Sequence, residues 1–515
     1  MKLSTALAVL IAIQRHRHRM MCVLASADDH ERKLLINQDD AAKRVNDIVK
    51  LTMASIDAGD VHGVALPLNY VALSDNYGGE QQLTVALRLP GVDRDKHIMI
   101  DTGSTSLAFC NKSLAEEATD ITKTDYAQCK MYNNKKTCPG VPSVTGINTF
   151  YVGQVFQGNI AAYNHDTGEE VASMNDVHFV IMSKVQEYTC LGPLDGIIGV
   201  AYSANNKVVK TPSPDFDALS LWNPYCESNG ESVGMCNYGN LSRIELPSPL
   251  GKSLKWGVDS GYNSVEAFGL YCDYAATIKS EKDMIIPSLG IYFGGNVALS
   301  NTFYNSGTPQ VASVIPCEDE NQHYSLNLQS ITIPGLNNTP YSGFNCDACA
   351  NNCFTDSGAS WISLPLPTSV CEKLSSTDPD TLKEMGSLLL DLQGVNGSIV
   401  TLSLPLHSLV ALGLLNNLVR CTNTSGDFIL GMPIYQFYYL VYDMGNNAIT
   451  FVDLPLSNET EAFIDMLGGL AKEPSATKEP STSNEPSTGS RHTGTRTTNA
   501  FVMAGLLLLA CNHIF

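Results

Sequence analysis

Four positions in this 515-residue sequence carry an Asp followed by a hydroxyl residue and a glycine: Asp101, Asp166, Asp259 and Asp356. Asp and Gly are ordinary turn residues, so the tripeptide alone defines only a turn. Flanking sequence separates the four. The apolar run Ile98-Met99-Ile100 delivers Asp101 into Thr102-Gly103-Ser104, and the chain leaves through Leu107-Ala108-Phe109. Asp356 follows Cys353-Phe354-Thr355, enters Ser357-Gly358-Ala359 and leaves through Trp361-Ile362-Ser363-Leu364. Both corners are followed much later by two aliphatics and a glycine, Ile197-Ile198-Gly199 and Ile429-Leu430-Gly431. Asp166 sits among polar residues and reads as an exposed turn, while Asp259 leads into Tyr262-Asn263-Ser264 and reads as a loop acid.

Two carboxylates held close cannot both ionise cheaply, so such a pair shares one proton and titrates as a unit. In the mono-anion, the ionised member can take a proton from a bound water while the protonated member polarises a carbonyl. That combination hydrolyses a peptide bond without a covalent intermediate. Gly103 and Gly358 let backbone N–H groups approach the carboxylates, and the Thr102 and Ser357 hydroxyls can tie the two corners together. Ser104 offers a further hydroxyl able to hydrogen-bond an ionised carboxylate. Ala359, its counterpart, offers none, which raises the expected proton affinity of the pair.

The elements that must position these acids are short. Between residues 98 and 454 the chain consists mainly of brief β-type runs bounded by Gly, Asn and Pro, so the fold class is mostly β. Short helices are expected over residues 215–222 and 367–374. Residues 224–262, rich in Asn, Gly, Ser and Pro, read as a looped insertion held by a local bridge through Cys226 and Cys236. The corner-plus-glycine layout occurs twice, as expected of two homologous halves that each give one carboxylate to a shared cleft.

A net charge of −20 disfavours nucleic-acid partners. Fifteen cysteines, with sequons at Asn111, Asn240, Asn337, Asn396, Asn423 and Asn458, point to disulfides and glycans of the secretory pathway. Cys346, Cys349 and Cys353 have a spacing that invites a metal, but in an oxidising compartment they read as disulfide partners, with Cys317 as a further candidate. Residues 1–27 read as a signal peptide with an Ala25-Ser26-Ala27 cleavage site, although a basic block at residues 15–19 is unusual there. Residues 28–60 read either as a helical arm, with Val45, Ile48, Val49 and Met53 on one face, or as a removable propeptide. Lys43 and Lys50 are candidates to pair with the acids, and nothing singles one out. Three Glu-Pro-Ser repeats make 458–490 a stalk. The tail, 491–515, fits a glycolipid (GPI) anchor signal better than a retained membrane helix, which wants about 20 apolar residues.

In this order, the two acid corners, residues 195–202, Ile291-Tyr292-Phe293-Gly294-Gly295, residues 323–333 and the run from Ile429 to Asp443 resemble the pepsin-type (eukaryotic two-lobed) aspartic endopeptidases over residues 64–454. The Phe-Gly-Gly strand precedes the second acid in that family, which selects Asp356 over Asp259. The resemblance implies a bilobal fold with pseudo-twofold lobes, 61–300 and 301–457. It also implies a flap hairpin with Tyr151, Gly158 and, near the tip, Phe156, as well as substrate contact at Ser360 and a Cys371–Cys421 disulfide. Tyr151 can equally be a plain strand aromatic, and the tryptophan that usually partners the flap tyrosine is replaced by Ala108. Protein or peptide substrates, no cofactor or metal, a monomer and a cleft first occupied by its own propeptide follow from the same likeness. So does a cell-surface, extracellular or lysosomal-vacuolar location, with membrane attachment only through the C-terminal anchor. The alternative is a catalytically silent pepsin-fold surface binding protein, against which both retained acids argue. A hydroxyl introduced by Ala359→Thr should lower the pair's proton affinity and move the pH–rate profile to lower pH; an unmoved profile refutes the assignment.

Overall fold

The computed structural model describes residues 64–72, 81–132, 149–163, 170–186, 190, 194–202, 206–213, 215–228, 231–246, 267–272, 286–293, 309–317, 323–348, 352–411, 419–423 and 426–454. The expected signal, propeptide, stalk and anchor segments, Asp166, Asp259, Asn458 and residues 247–262 of the insertion lie outside the described residues.

The short apolar runs form strands. The first half carries β1 (Val64–Ala72), β2 (Gln81–Arg88), β3 (Lys96–Asp101), β4 (Leu107–Phe109), β5 (Thr122–Tyr132), β6 (Thr149–Tyr163) and β7 (Glu170–Gln186). It continues with β8 (Gly196–Gly199), β9 (Lys207–Lys210), β10 (Trp222–Ser228), β11 (Glu231–Cys236), β12 (Arg243–Glu245), β13 (Ala267–Cys272) and β14 (Ile286–Phe293). The second half carries β15 (Pro309–Ser313), β16 (Leu328–Ile333), β17 (Asn337–Ser342), β18 (Cys353–Thr355), β19 (Ile362–Leu364) and β20 (Ser387–Gln393). Then follow β21 (Ile399–Pro405), β22 (Val419–Cys421), β23 (Phe428–Leu430), β24 (Tyr438–Asp443) and β25 (Ala448–Asp453). Helices are brief: α1 (Leu114–Glu117), α2 (Thr368–Ser376), α3 (Pro379–Met385) and α4 (Leu406–Ala411).

One 15-stranded sheet runs β12-β9-β5-β6-β7-β4-β8-β3-β2-β1-β14-β13-β24-β25-β15, and two four-stranded sheets run β17-β16-β20-β21 and β18-β23-β19-β22. The large sheet draws strands from both sides of residue 300, because β13 pairs with β24. Two stretches share one local plan. β3 runs parallel to β8, while β4 is antiparallel to β8 and parallel to β7. In the same way β18 is parallel to β23, while β19 is antiparallel to β23 and parallel to β22. Each acid corner therefore joins two strands that flank a third. β4, β8 and β19 are buried at every position, as continuous apolar strands covered on both faces must be.

The two later glycines make this plan possible. A methyl group on Gly199 would stand 2.2 Å from the Thr105 backbone nitrogen, and one on Gly431 would stand 1.9 Å from the Trp361 carbonyl oxygen. Only hydrogen fits where these strand ends pass beneath the corners.

Packing overrides local propensity in several places. The helix expected over 215–222 is a single 3₁₀ turn, Ala218–Leu221, with Asp217 capping it through the Leu219 N–H. Trp222 instead opens β10 and stacks on Phe150 at 3.5 Å between ring centroids. The second expected helix forms as α2. A third, α3, has a legible signal in Asp378-Pro379, an N-cap followed by proline at the first turn. The expected local Cys226–Cys236 bridge is corrected: the β10–β11 register sets Cys236 opposite Trp222 and Cys226 opposite Val233, and Cys236 bonds Cys129 of β5. The first part of the insertion is thus a hairpin tied to the sheet. Cys110–Cys190, Cys346–Cys353 and Cys371–Cys421 are the other disulfides with both partners described, and Cys317 is also disulfide-bonded. The sequon residues Asn111, Asn240, Asn396 and Asn423 are exposed. Gly431→Ala should destabilise the protein by about 2–4 kcal/mol, because backbone atoms rather than a yielding side chain meet the new methyl. Chemical denaturation checks this, and an unchanged midpoint refutes it.

Candidate active site

Asp101 is the last residue of β3, and Asp356 directly follows β18. The corners they open are bonded to one another by a reciprocal set. The Thr102 N–H donates to Ser357 Oγ at 3.0 Å and the Ser357 N–H donates to Thr102 Oγ1 at 2.8 Å. Thr102 Oγ1 donates in turn to the Thr355 carbonyl at 3.2 Å, and Ser357 Oγ to the Ile100 carbonyl at 2.8 Å. Each hydroxyl thus accepts from the opposite corner and donates to the strand that leads into it. Both are fully buried, so water does not compete for these bonds.

The carboxylates meet above this bracket. The Gly103 N–H donates to Asp101 Oδ1 at 2.7 Å, and the Gly358 N–H to Asp356 Oδ1 at 2.9 Å. A methyl on either glycine would lie 2.8 Å from the other corner's carboxylate oxygen, so each glycine also touches the opposite acid. Asp101 is 5 % exposed. Burial first, then the neighbouring charge of Asp101 and a hydrogen bond with it, hold the Asp356 carboxyl well above the usual range. The N–H groups of Gly358 and Ala359 favour the ionised form but are outweighed. Burial and the neighbouring acid thus favour a protonated Asp356 carboxyl in this geometry.

Ser104 departs from its expected role. Its hydroxyl is buried and makes no hydrogen bond among the described residues, so it does not hold the Asp101 carboxylate. Its carbonyl instead accepts from the Ala201 N–H at 2.8 Å, which fastens the corner to the end of β8.

The expected flap residues are also placed differently. Tyr151, Phe156 and Gly158 lie inside β6, which is paired with β5 on one side and β7 on the other. Tyr151 is fully buried in a cluster with Met99, Ala108, Val155 and Ile197, and its hydroxyl donates to Gln128 Oε1 at 2.6 Å. Phe156 stacks on Phe179, and Gly158 pairs with Val177. None is at a hairpin tip: the tyrosine ring belongs to the core that Ala108, by being small, leaves room for. Tyr132 and Thr149 face each other where β5 and β6 end, and their connection, residues 133–148, lies outside the described residues.

Two groups at the site escape sequence reasoning. Tyr435 and Tyr442 share a hydrogen bond of 2.6 Å, and both are fully buried. Burial pushes the Tyr442 hydroxyl up to about 12 and raises Tyr435 as well, so both stay neutral beneath the bracket. No periodicity distinguishes them from other strand aromatics. Gln82, on β2, donates to the Gly358 carbonyl at 3.2 Å and to Ser360 Oγ at 2.9 Å. Ser360 is fully buried there.

The raised Asp356 value fixes the sign of a stability effect. Above the ordinary carboxylate value of 3.8, the unfolded chain releases a proton that the folded chain keeps, so this group costs stability as pH rises. Below 3.8 both states hold the proton and the cost vanishes. Asp356→Asn should therefore melt at least about 2 °C above the wild type near neutral pH, with the gap closing in acid. Melting curves across that range check it; a gap that does not depend on pH refutes it.

No protein-family model and no curated protein matches the sequence. Among solved structures, the chain is similar to the aspartic proteinase from Irpex lacteus, at 12 % identity and a TM-score of 0.45, over 78 % of this chain and 99 % of that one.

Proposed function

We propose that this protein is a pepsin-type aspartic endopeptidase that hydrolyses peptide bonds through a water activated by Asp101 and Asp356. The observation that carries the reading is the reciprocal Thr102–Ser357 bonding, which joins two acids from distant parts of the chain in a state that favours one shared proton. The Asp101 carboxylate takes a proton from water as its oxygen attacks the scissile carbonyl carbon. Asp356 gives its proton to the carbonyl oxygen, forming a neutral tetrahedral diol. Asp101 then gives its proton to the amine nitrogen while the Asp356 carboxylate takes one from a diol hydroxyl; the C–N bond breaks to a carboxylic acid and an amine, and the pair again shares one proton.

Two homologous halves of the kind expected at 61–300 and 301–457 would each supply one corner. The disulfides and exposed sequons support secretion and glycosylation, with 28–60 as the propeptide and 491–515 as the anchor signal. Cleavage of a denatured-protein library between about pH 3 and 7 tests the activity, alongside a transition-state-mimicking inhibitor. Inhibitor-sensitive cleavage that falls at least about a hundredfold in both Asp101→Asn and Asp356→Asn is the expected result. Folded protein that, freed of its N-terminal segment, cleaves nothing refutes it in favour of a binding protein. Release from cells by a GPI-cleaving phospholipase tests the anchor.

A further inference from the structure

Among the described residues only three large apolar side chains are exposed, and two of them bracket one sequon. Val395 is 37 % exposed and Ile399 is 68 % exposed, one on each side of Asn396-Gly397-Ser398. These residues form the tip of the β20–β21 hairpin. Asn396 and Gly397 both have positive φ, 61° and 76°, as an Asn-Gly hairpin turn requires. The Gly394 N–H closes the tip by donating to the Ser398 carbonyl at 2.7 Å, and Ser398 Oγ donates to the Val395 carbonyl at 2.9 Å. The other exposed sequon residues, Asn111, Asn240 and Asn423, have no exposed large apolar neighbour within four positions among the described residues. The strand adds to the liability. β21 is the outer strand of its sheet, and toward its far end the Tyr438 hydroxyl accepts from the Ser403 N–H at 2.6 Å and donates to the Ser403 carbonyl at 3.2 Å, while Pro405 has no N–H to offer. Its near end opens on Ile399. An exposed β-branched side chain at the start of an outer strand invites a second chain to pair there.

We propose that Asn396 carries an N-linked glycan whose first sugars lie over Val395 and Ile399 and keep this edge from pairing with another copy of the chain. The inference rests on the secretory reading above. The Asn396 side-chain nitrogen bonds to the anomeric carbon of an oligosaccharide held on a lipid diphosphate; the C–O bond to the diphosphate breaks, and the nitrogen loses one proton. Such a glycan is bulky and solubilising, and its C–H faces and acetyl methyl rest on aliphatic side chains while its hydroxyls stay in water. A glycan suits the position better than a protein partner. A partner that buried both apolar residues would also have to bury the polar Asn-Gly turn between them.

The test reads occupancy first and its consequence second. Protein secreted from eukaryotic cells is digested and treated with an N-glycosidase in heavy-oxygen water, which turns a glycosylated Asn into a labelled Asp. Label at Asn396 is the expected result in the mass spectrum. Asn396→Gly, which keeps the positive φ of the turn, should then self-associate in light scattering at a protein concentration at least about tenfold below the wild type, the effect of leaving one large aliphatic side chain for a neighbour to cover. Adding Ile399→Thr to that variant should restore the wild-type behaviour. If Asn396→Gly is not secreted, Ser398→Ala, which removes the sequon and keeps Asn396, replaces it. Label at other sequons but not at Asn396 overturns the assignment alone, as does a labelled Asn396 whose loss leaves association unchanged. No label at any sequon overturns the secretory reading and this assignment with it.

Discussion

The bracket between Thr102 and Ser357, 255 residues apart, is the constraint on which the site depends. Two short side chains and two backbone N–H groups close a buried ring in which every participant is satisfied. A displacement of either corner would leave donors and acceptors unmet away from water, which costs more than the net gain of forming them. That asymmetry makes the bracket rigid. Because each acid is adjacent to its bracket residue, Asp101 to Thr102 and Asp356 to Ser357, rigidity of the ring becomes rigidity of the carboxylate pair.

Holding two acids together is itself unfavourable, and the surroundings limit the cost by hydrogen bonding rather than by counter-charge. The Gly103, Gly358 and Ala359 N–H groups face the carboxylates, and the tyrosine pair below contributes neutral hydroxyls. His323, whose ring lies against Phe354 just before the second corner, is held down to about 4, first by burial and then by the charge of Lys130. It stays uncharged above that pH. The Asp356 proton is therefore set by burial and by Asp101, with backbone amides as the opposing influence.

The sheet architecture explains why so little sequence builds each corner. A strand of three or four residues cannot stand alone, but β4, β8, β19 and β23 each lie between two partners, and Gly199 and Gly431 let the chain cross beneath the turns at backbone contact distance. The same tight crossing made the layout readable: two aliphatics and a glycine, placed well after an acid turn, form a pattern that few other constraints produce.

What the sequence determined by itself was local and covalent: the apolar approach to each acid, the glycines that no side chain could replace, the mostly-β texture, and the Asp-Pro start of α3. These follow from sterics and burial acting over a few residues. Only the tertiary structure decided the rest. Tyr151 looked like a flap residue because a tyrosine and a glycine fell at the right spacing, yet pairing on both edges of β6 put its ring into the core. Cys236 chose Cys129 over its near neighbour because hairpin register governs which side chains face each other. The Ser104 hydroxyl, a candidate partner for the Asp101 carboxylate by sequence, is buried with no hydrogen bond among the described residues, and Gln82 and the Tyr435–Tyr442 pair carry no signal along the chain. Their roles arise from contacts between segments tens to hundreds of residues apart, and no periodicity along one chain encodes which distant partner a buried polar group will meet.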